Sequence, residues 1–456
     1  MPAIDIVPMA LHRFNALAAH TRSPAMAYIV EELTWFSDRD ERLLGVITLD
    51  RADQDFAAVI LGRDEGRRFR CIDFKVSFPT FDEAKAWAKN TIRWHLREDA
   101  KEFPQGEPVK GVDLFTPVVP LQKQHPDFVK LASDITFLPA RSLINEIAPH
   151  FIDVDGNFVE QFQTTGFDAR LWELYIFSYL NEEQLFLDRT HDWPDFLVKK
   201  YGESVAIEAT IVGRHADNPP RFIKPPISAL SDEEVQRRRE GEMPIRFGSP
   251  LYSKLRKRYW DLPHMAGIPL VLAIADFHDD RSMQWSSPAL IEYLYGVKHG
   301  HHYDADGRLI VEPAKIETHR FGDKVIPSGF FFQQDSENIA AVMFSATGTI
   351  SKFNRLGRQA GFTPPGVIMI RRGVCHDHDP NASLPKQFSY RVTEASNETW
   401  AEGVSMFHNP NAKYPAPEHL FPSIAHYRFV DGRLMGTMPD FHPYASLTLN
   451  IKIKDK

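Results

Sequence analysis

Three acidic residues in the segment 167–212 each stand alone in an apolar stretch. Between Leu171 and Leu180 the chain reads LWELYIFSYL, and Glu173 is the only charge in it. A helix that is apolar on every side is buried. An ionised carboxylate there is costly unless it meets a cation, a donor or a metal. Pro194-Asp195-Phe196-Leu197-Val198 is a short apolar strand whose one acid comes first. Glu208 lies further on, in VAIEATIV, which alternates strictly. Ala206, Glu208 and Thr210 therefore point to one face, and Ile207, Ala209 and Ile211 to the other. Converging carboxylate oxygens repel one another and suit a hard divalent ion, Mg2+ or Mn2+. The competing reading pairs each acid with a buried Arg or Lys; Arg170 is the one base within helical reach of Glu173.

The elements that must position these acids are a helix over 167–181 and strands over 194–199 and 204–212. A helix Glu, then Pro194-Asp195, then Glu208-x-Thr210 on the next strand resembles the PD-(D/E)xK nuclease superfamily. The resemblance covers about 45 residues of core, and more loosely an α/β scaffold to about residue 350. It implies a restriction-endonuclease-like mixed sheet flanked by helices. It implies that Glu173, Asp195 and Glu208 ligate Mg2+ or Mn2+, and that the metal activates a water against a phosphodiester. It also implies nucleic acid, DNA first, as substrate, with foreign-DNA restriction or DNA processing as the role. Thr210 stands where the motif has Lys. A hydroxyl can orient a water but supplies no positive charge, so Lys199, Lys200 and Lys254 are the candidates to replace it. The same departure supports the alternative of a catalytically silent protein that keeps the fold and serves as a nucleic-acid-binding or scaffold module.

Lys254 lies in a helix expected over 249–262, with Ser249 as N-cap and Pro250 at the first helical position. Leu251, Leu255, Tyr259 and Leu262 make its apolar face. Lys254, Lys257 and Arg258 then form a basic ridge at helical spacing, placed to receive a phosphate backbone. The other reading is a solvated face with lysine stems packed along it. His191 precedes the Asp195 strand and reads as a loop residue or a general base. His299-Gly300-His301-His302 and Cys375-His376-Asp377-His378-Asp379 have metal-binding composition without the paired spacing of a structural zinc site, and read as exposed turns; Phe407-His408-Asn409-Pro410-Asn411 reads as another polar turn. No phosphate-binding Gly-x-x-x-x-Gly-Lys loop, Gly-x-Gly-x-x-Gly, Gly-x-Ser-x-Gly or His-Glu-x-x-His occurs, which argues against the enzyme classes built on them.

The chain as a whole has 456 residues and a net charge of −8, so any nucleic-acid contact must come from a local patch. Two cysteines, Cys71 and Cys375, make no disulfide framework. The apolar runs are too short to span a bilayer. These features point to a cytoplasmic protein with no membrane partner. Strands over 43–50, 56–61 and 68–78, followed by a helix that Thr80 and Glu83 open as a capping box, predict a small α+β domain over 1–100. Prolines mark 101–140 as a linker. Apolar strands at 268–277 and 339–345 alternate with helices at 249–262 and 287–295. They predict an α/β layer over 141–355, followed by a β-containing C-terminal region over 356–456.

Overall fold

The computed structural model describes residues 4–97, 101–106, 112–153, 156–214, 220 and 230–453. The polar, Pro-rich stretch 214–247 falls partly outside these residues.

The first unit is an antiparallel sheet in the order β1 (Ile6–Met9), β2 (Val30–Asp38), β3 (Leu43–Asp50), β4 (Phe56–Arg63), β5 (Phe69–Phe78). Helices α1 (Leu11–Ala18) and α2 (Met26–Ile29) lie between β1 and β2, and α3 (Phe81–Arg97) follows β5. Thr80 caps α3, its hydroxyl accepting from the Glu83 N–H at 3.3 Å. Alternation puts Ile47, Ala58 and Ile60 under Ala84, Ala88 and Ile92 of α3. Leu44, Val46 and Leu61 face Phe14 and Leu17 of α1. The sequence pattern omits β1 and β2. In β2 a register shift between Glu32 and Thr34 interrupts the period of two on which the pattern depends.

The segment 101–140 is not a linker. It carries α4 (Pro126–Ser133) and the start of α5 (Leu138–Ile147), and Leu114, Phe128 and Leu131 belong to the largest core. Prolines 126 and 139 sit in the first turns of these helices, where a missing N–H costs nothing. Next come α6 (Phe158–Gln163), α7 (Phe167–Glu182), β6 (Phe186–Asp188), β7 (Phe196–Lys200), β8 (Glu203–Val212), α8 (Asp232–Arg237), α9 (Met243–Arg256), β9 (Leu270–Asp276) and α10 (Ser286–Tyr295). Two exposed hairpins follow: β10 (Val297–Tyr303) with β11 (Leu309–Lys315), and β12 (Thr318–Phe321) with β13 (Lys324–Pro327). The rest is β14 (Ala341–Ser345), α11 (Ile350–Gln359), β15 (Val367–Cys375), β16 (Lys386–Arg391), β17 (Val404–His408), β18 (Ala425–Val430), β19 (Arg433–Thr437) and β20 (Pro443–Lys452).

The chain is thus mixed α/β. Its main sheet has eight strands in the order β19-β18-β17-β14-β9-β8-β7-β6, with β8, β9 and β14 parallel. Ile207, Ala209, Val271 and Met343 pack on the side of α5, α7 and α11. Ala206, Leu272 and Val342 pack on the side of α9 and α10. β9 is covered on both faces, which is why its sequence is continuously apolar from Leu270 to Ala275. β17, β18 and β19 come from the C-terminal region, so that region completes the sheet. Among the described residues, no helix is long and apolar enough to cross a membrane.

A buried ionic network ties α11 and β15 to the stretch before β17. Arg355 holds Glu398 in a two-pronged bond at 2.7 Å, Lys352 reaches the same carboxylate at 3.1 Å, and Arg371 bonds Glu402 at 2.7 Å. Despite complete burial, these cations hold the Glu398 carboxyl well below the usual carboxylate range.

Candidate active site at the start of β7

The antiparallel register places Phe196 opposite Ile207 on β8, which brings Asp195, just before β7, beside Glu208. Leu197 and Ala206 lie in the same core cluster, while Phe196 and Ile207 lie in the opposite one. Counted in steps of two, Asp195 and Glu208 share the α9 face of the sheet. The two acids interlock. The Asp195 N–H donates to Glu208 Oε2 at 3.2 Å, and the Ala209 N–H donates to Asp195 Oδ2 at 2.7 Å.

Lys254 completes the group. Its ammonium donates to Glu208 Oε1 at 2.5 Å, and the Tyr259 hydroxyl donates to the same oxygen at 2.5 Å. The other lysine candidates are engaged elsewhere. Lys199 pairs with Asp188 at 2.6 Å, and Lys200 donates to the Glu183 carbonyl at the end of α7 at 2.6 Å. Thr210, two residues beyond Glu208, shares its face.

Glu173 comes from α7, on the other side of the sheet. Arg170, one turn earlier, donates to both its oxygens at 2.9 and 2.8 Å. This is the buried-pair arrangement, and helical spacing i, i+3 provides it. Burial still pushes the Glu173 carboxyl up, against Arg170 and Lys254, and the Glu208 charge adds to the push. Glu173 therefore belongs to the electrostatics of the group. The oxygens of the three acids do not converge tightly: among the described residues, one other set alone has three ligand atoms all within 4.8 Å of one another.

Arg189 borders the group as well. Its Nη1 donates to the Asp195 carbonyl at 3.1 Å, and its guanidinium lies over Phe151, Phe177 and Phe196. Its Nη2 has no hydrogen-bond partner among the described residues. An arginine between an aspartate and a Thr-His-Asp turn reads as surface; only tertiary packing turns it inward.

The basic ridge takes another form. α9 begins at Met243 and runs through Pro250, so Ser249 and Pro250 do not open it. It stops at Arg256, and Arg258 turns left-handed at φ 51°. That turn delivers Tyr259 to Glu208 and removes Lys257 and Arg258 from a helical face. Lys257 sits over the Trp193 ring at 4.5 Å, on the acidic side, whereas Arg258 pairs with Asp261 at 2.7 Å. His191 stacks on His264 at 3.9 Å, and His264 bonds the Trp193 carbonyl at 2.7 Å. His301 and His302 lie on the exposed β10–β11 hairpin. His376 and His378 bond Tyr444 and the Asp440 carbonyl.

Burial, then the charges of Glu208 and Glu173, push the Asp195 carboxyl up to about 7. A carboxyl raised on folding binds its proton more tightly in the folded chain. Its contribution is full below the ordinary value near 3.8 and is lost as pH rises through about 7. Metal-free protein should therefore lose stability between pH 4 and 7. Asp195→Asn should flatten that slope in urea melts run across this range; an unchanged slope would contradict the assignment.

Comparisons with family models, curated proteins and solved structures find no match to this chain.

Proposed function

We propose that the chain is a metal-dependent phosphodiesterase, a nuclease on a restriction-endonuclease-like scaffold, that acts on nucleic acid, DNA first. The observation that carries this reading is the meeting of Asp195, Glu208 and Lys254 from three separate elements. Lys254 brings to Glu208, from α9, the positive charge that Thr210 lacks.

The donor chemistry fits Mg2+ or Mn2+. Asp195 and Glu208 offer adjacent hard oxygens, and the like-charge push on Asp195 is what a cation relieves. When bound, the ion would supply a Lewis acid and a water of lowered pKa. Asp195 and Glu208 would hold it, with Glu173 adding charge from α7. Tyr259 fixes the Glu208 carboxylate, and Lys254 sets positive charge where a phosphodiester gains negative charge. Lys257, against Trp193 at the rim, is placed for a phosphate of the backbone.

Lys254→Met should lower Mg2+- or Mn2+-dependent cleavage by about 10²–10³-fold, the usual effect of losing one preorganised group. The assay uses single- and double-stranded DNA and RNA in parallel. Full activity in the variant would remove Lys254 from the site. A second reading, a catalytically silent nucleic-acid-binding module, is favoured by the protein partners that Glu173 and Glu208 already have in Arg170 and Lys254. Binding without cleavage of any of these substrates, in either ion, supports it.

A further inference from the structure

A second cluster of ligand-bearing side chains lies on the same sheet, well away from the acids. His408 ends β17, His426 is the second residue of β18, and Glu418 opens the 3-10 turn Glu418–Leu420 in the connection between them. The parallel pairing of β17 with β18 sets Met406 opposite His426. Met406, Leu420 and Phe421 belong to the core on the α7 side, so the cluster sits on the face opposite Glu208. β9 and β14 separate it from β8. Three strand spacings amount to on the order of 14 Å.

His408 Nε2 lies 3.0 Å from His426 Nδ1 and 3.3 Å from Glu418 Oε1. All three ligand atoms lie within 4.8 Å of one another. Atoms bound to one zinc ion at about 2.0–2.2 Å, at angles between square and tetrahedral, stand about 2.9–3.5 Å apart. The surroundings orient the ligands. His426 Nε2 bonds the Phe421 carbonyl at 2.8 Å, so it carries the proton and leaves the Nδ1 lone pair facing the cluster. Arg428 bonds the other oxygen of Glu418. A backbone carbonyl behind a histidine and a hydrogen bond behind a carboxylate are the usual supports of metal ligands. The Nε2 position of His408 faces both of these acceptors. His408, Asn409, Glu418 and Arg428 also line a cavity of about 590 Å³ with Ala340 and Phe429.

We infer that His408, Glu418 and His426 form a Zn2+ site whose fourth coordination position opens into this cavity. Two imidazoles and one carboxylate with an open fourth position are a ligand set of catalytic zinc sites. The ion would pin β17, β18 and their connection together, and the cavity gives an exogenous ligand access to it. The site does not depend on the nuclease reading.

The test is zinc titration of chelator-stripped full-length protein by calorimetry, with a parallel thermal melt. The parent and Asp195→Asn should each bind one Zn2+ at this site and gain melting temperature. Glu418→Gln and His408→Gln should each weaken that binding by roughly 100-fold or more, beyond the 10–100-fold loss typical of supporting residues, and abolish the gain. Should either variant fail to fold, Co2+ added to the parent should give the visible absorption of a nitrogen- and oxygen-ligated site. No zinc binding by the parent would overturn the inference. Affinity unchanged in the folded variants would also overturn it. Loss of zinc binding in Asp195→Asn would move the zinc to the acidic group and equally contradict the proposal.

Discussion

Asp195→Asn is expected to reduce Mg2+- or Mn2+-dependent cleavage by at least about 10³-fold, consistent with removing a metal's oxygen ligand. Above pH 7 it is expected to leave metal-free stability unchanged or raised. The carboxylate it replaces is the one destabilised by burial and by Glu208 and Glu173, and the amide keeps an oxygen for the Ala209 N–H. Glu208→Gln should also abolish cleavage, but with the opposite effect on the fold. The structure separates them, because Glu208 is the anion for Lys254 and the acceptor for Tyr259. Removing its charge strands a largely buried ammonium and should cost about 1–3 kcal/mol. A cleavage assay with one melt per variant at pH 8 reads both effects. Equal, large losses of melting temperature in both variants would mean that the acids are structural.

The largest stability effect is expected at Glu398, which belongs to neither candidate site. Among the described residues, three fully buried cations, Lys352, Arg355 and Arg371, meet two carboxylates, Glu398 and Glu402. Glu398→Ala leaves three positive charges facing Glu402 alone. Breaking a buried pair in this way costs about 3–5 kcal/mol, a large share of a domain's stability. Lys352 should respond first, because burial already draws its ammonium below the usual lysine range. Lys352→Met in the Glu398→Ala background should therefore recover part of the loss. Urea denaturation gives both numbers. A Glu398→Ala cost below about 1 kcal/mol would show that the network is hydrated rather than buried.

The acid-bearing elements were legible because each is set by a local pattern. LWELYIFSYL is apolar on every side and becomes α7, with ten buried residues. VAIEATIV alternates and becomes β8, with Glu208 buried at 2% exposure. What the pattern could not supply was partners. Lys254 is 46 residues from Glu208 and reaches it only because α9 packs across β8. The basic ridge failed because a helical wheel assumes that the helix continues, and this one ends two residues before a left-handed Arg258. The linker reading failed because proline at a helix start and proline in a linker look alike in composition. The cluster of His408, Glu418 and His426 had no sequence signature. Its ligands come from two strand positions and a turn that only parallel pairing brings together.

The proposed function requires Asp195 and Glu208 to share a divalent ion. The measurement that tests it most directly is anomalous diffraction from crystals grown with Mn2+. A shared ion gives a Mn2+ peak within ligand distance, about 2.0–2.6 Å, of an oxygen of each residue, with Lys254 still beside Glu208. Crystals saturated with Mn2+ that show no peak there, and the Lys254–Glu208 bond unchanged at 2.5 Å, would contradict it.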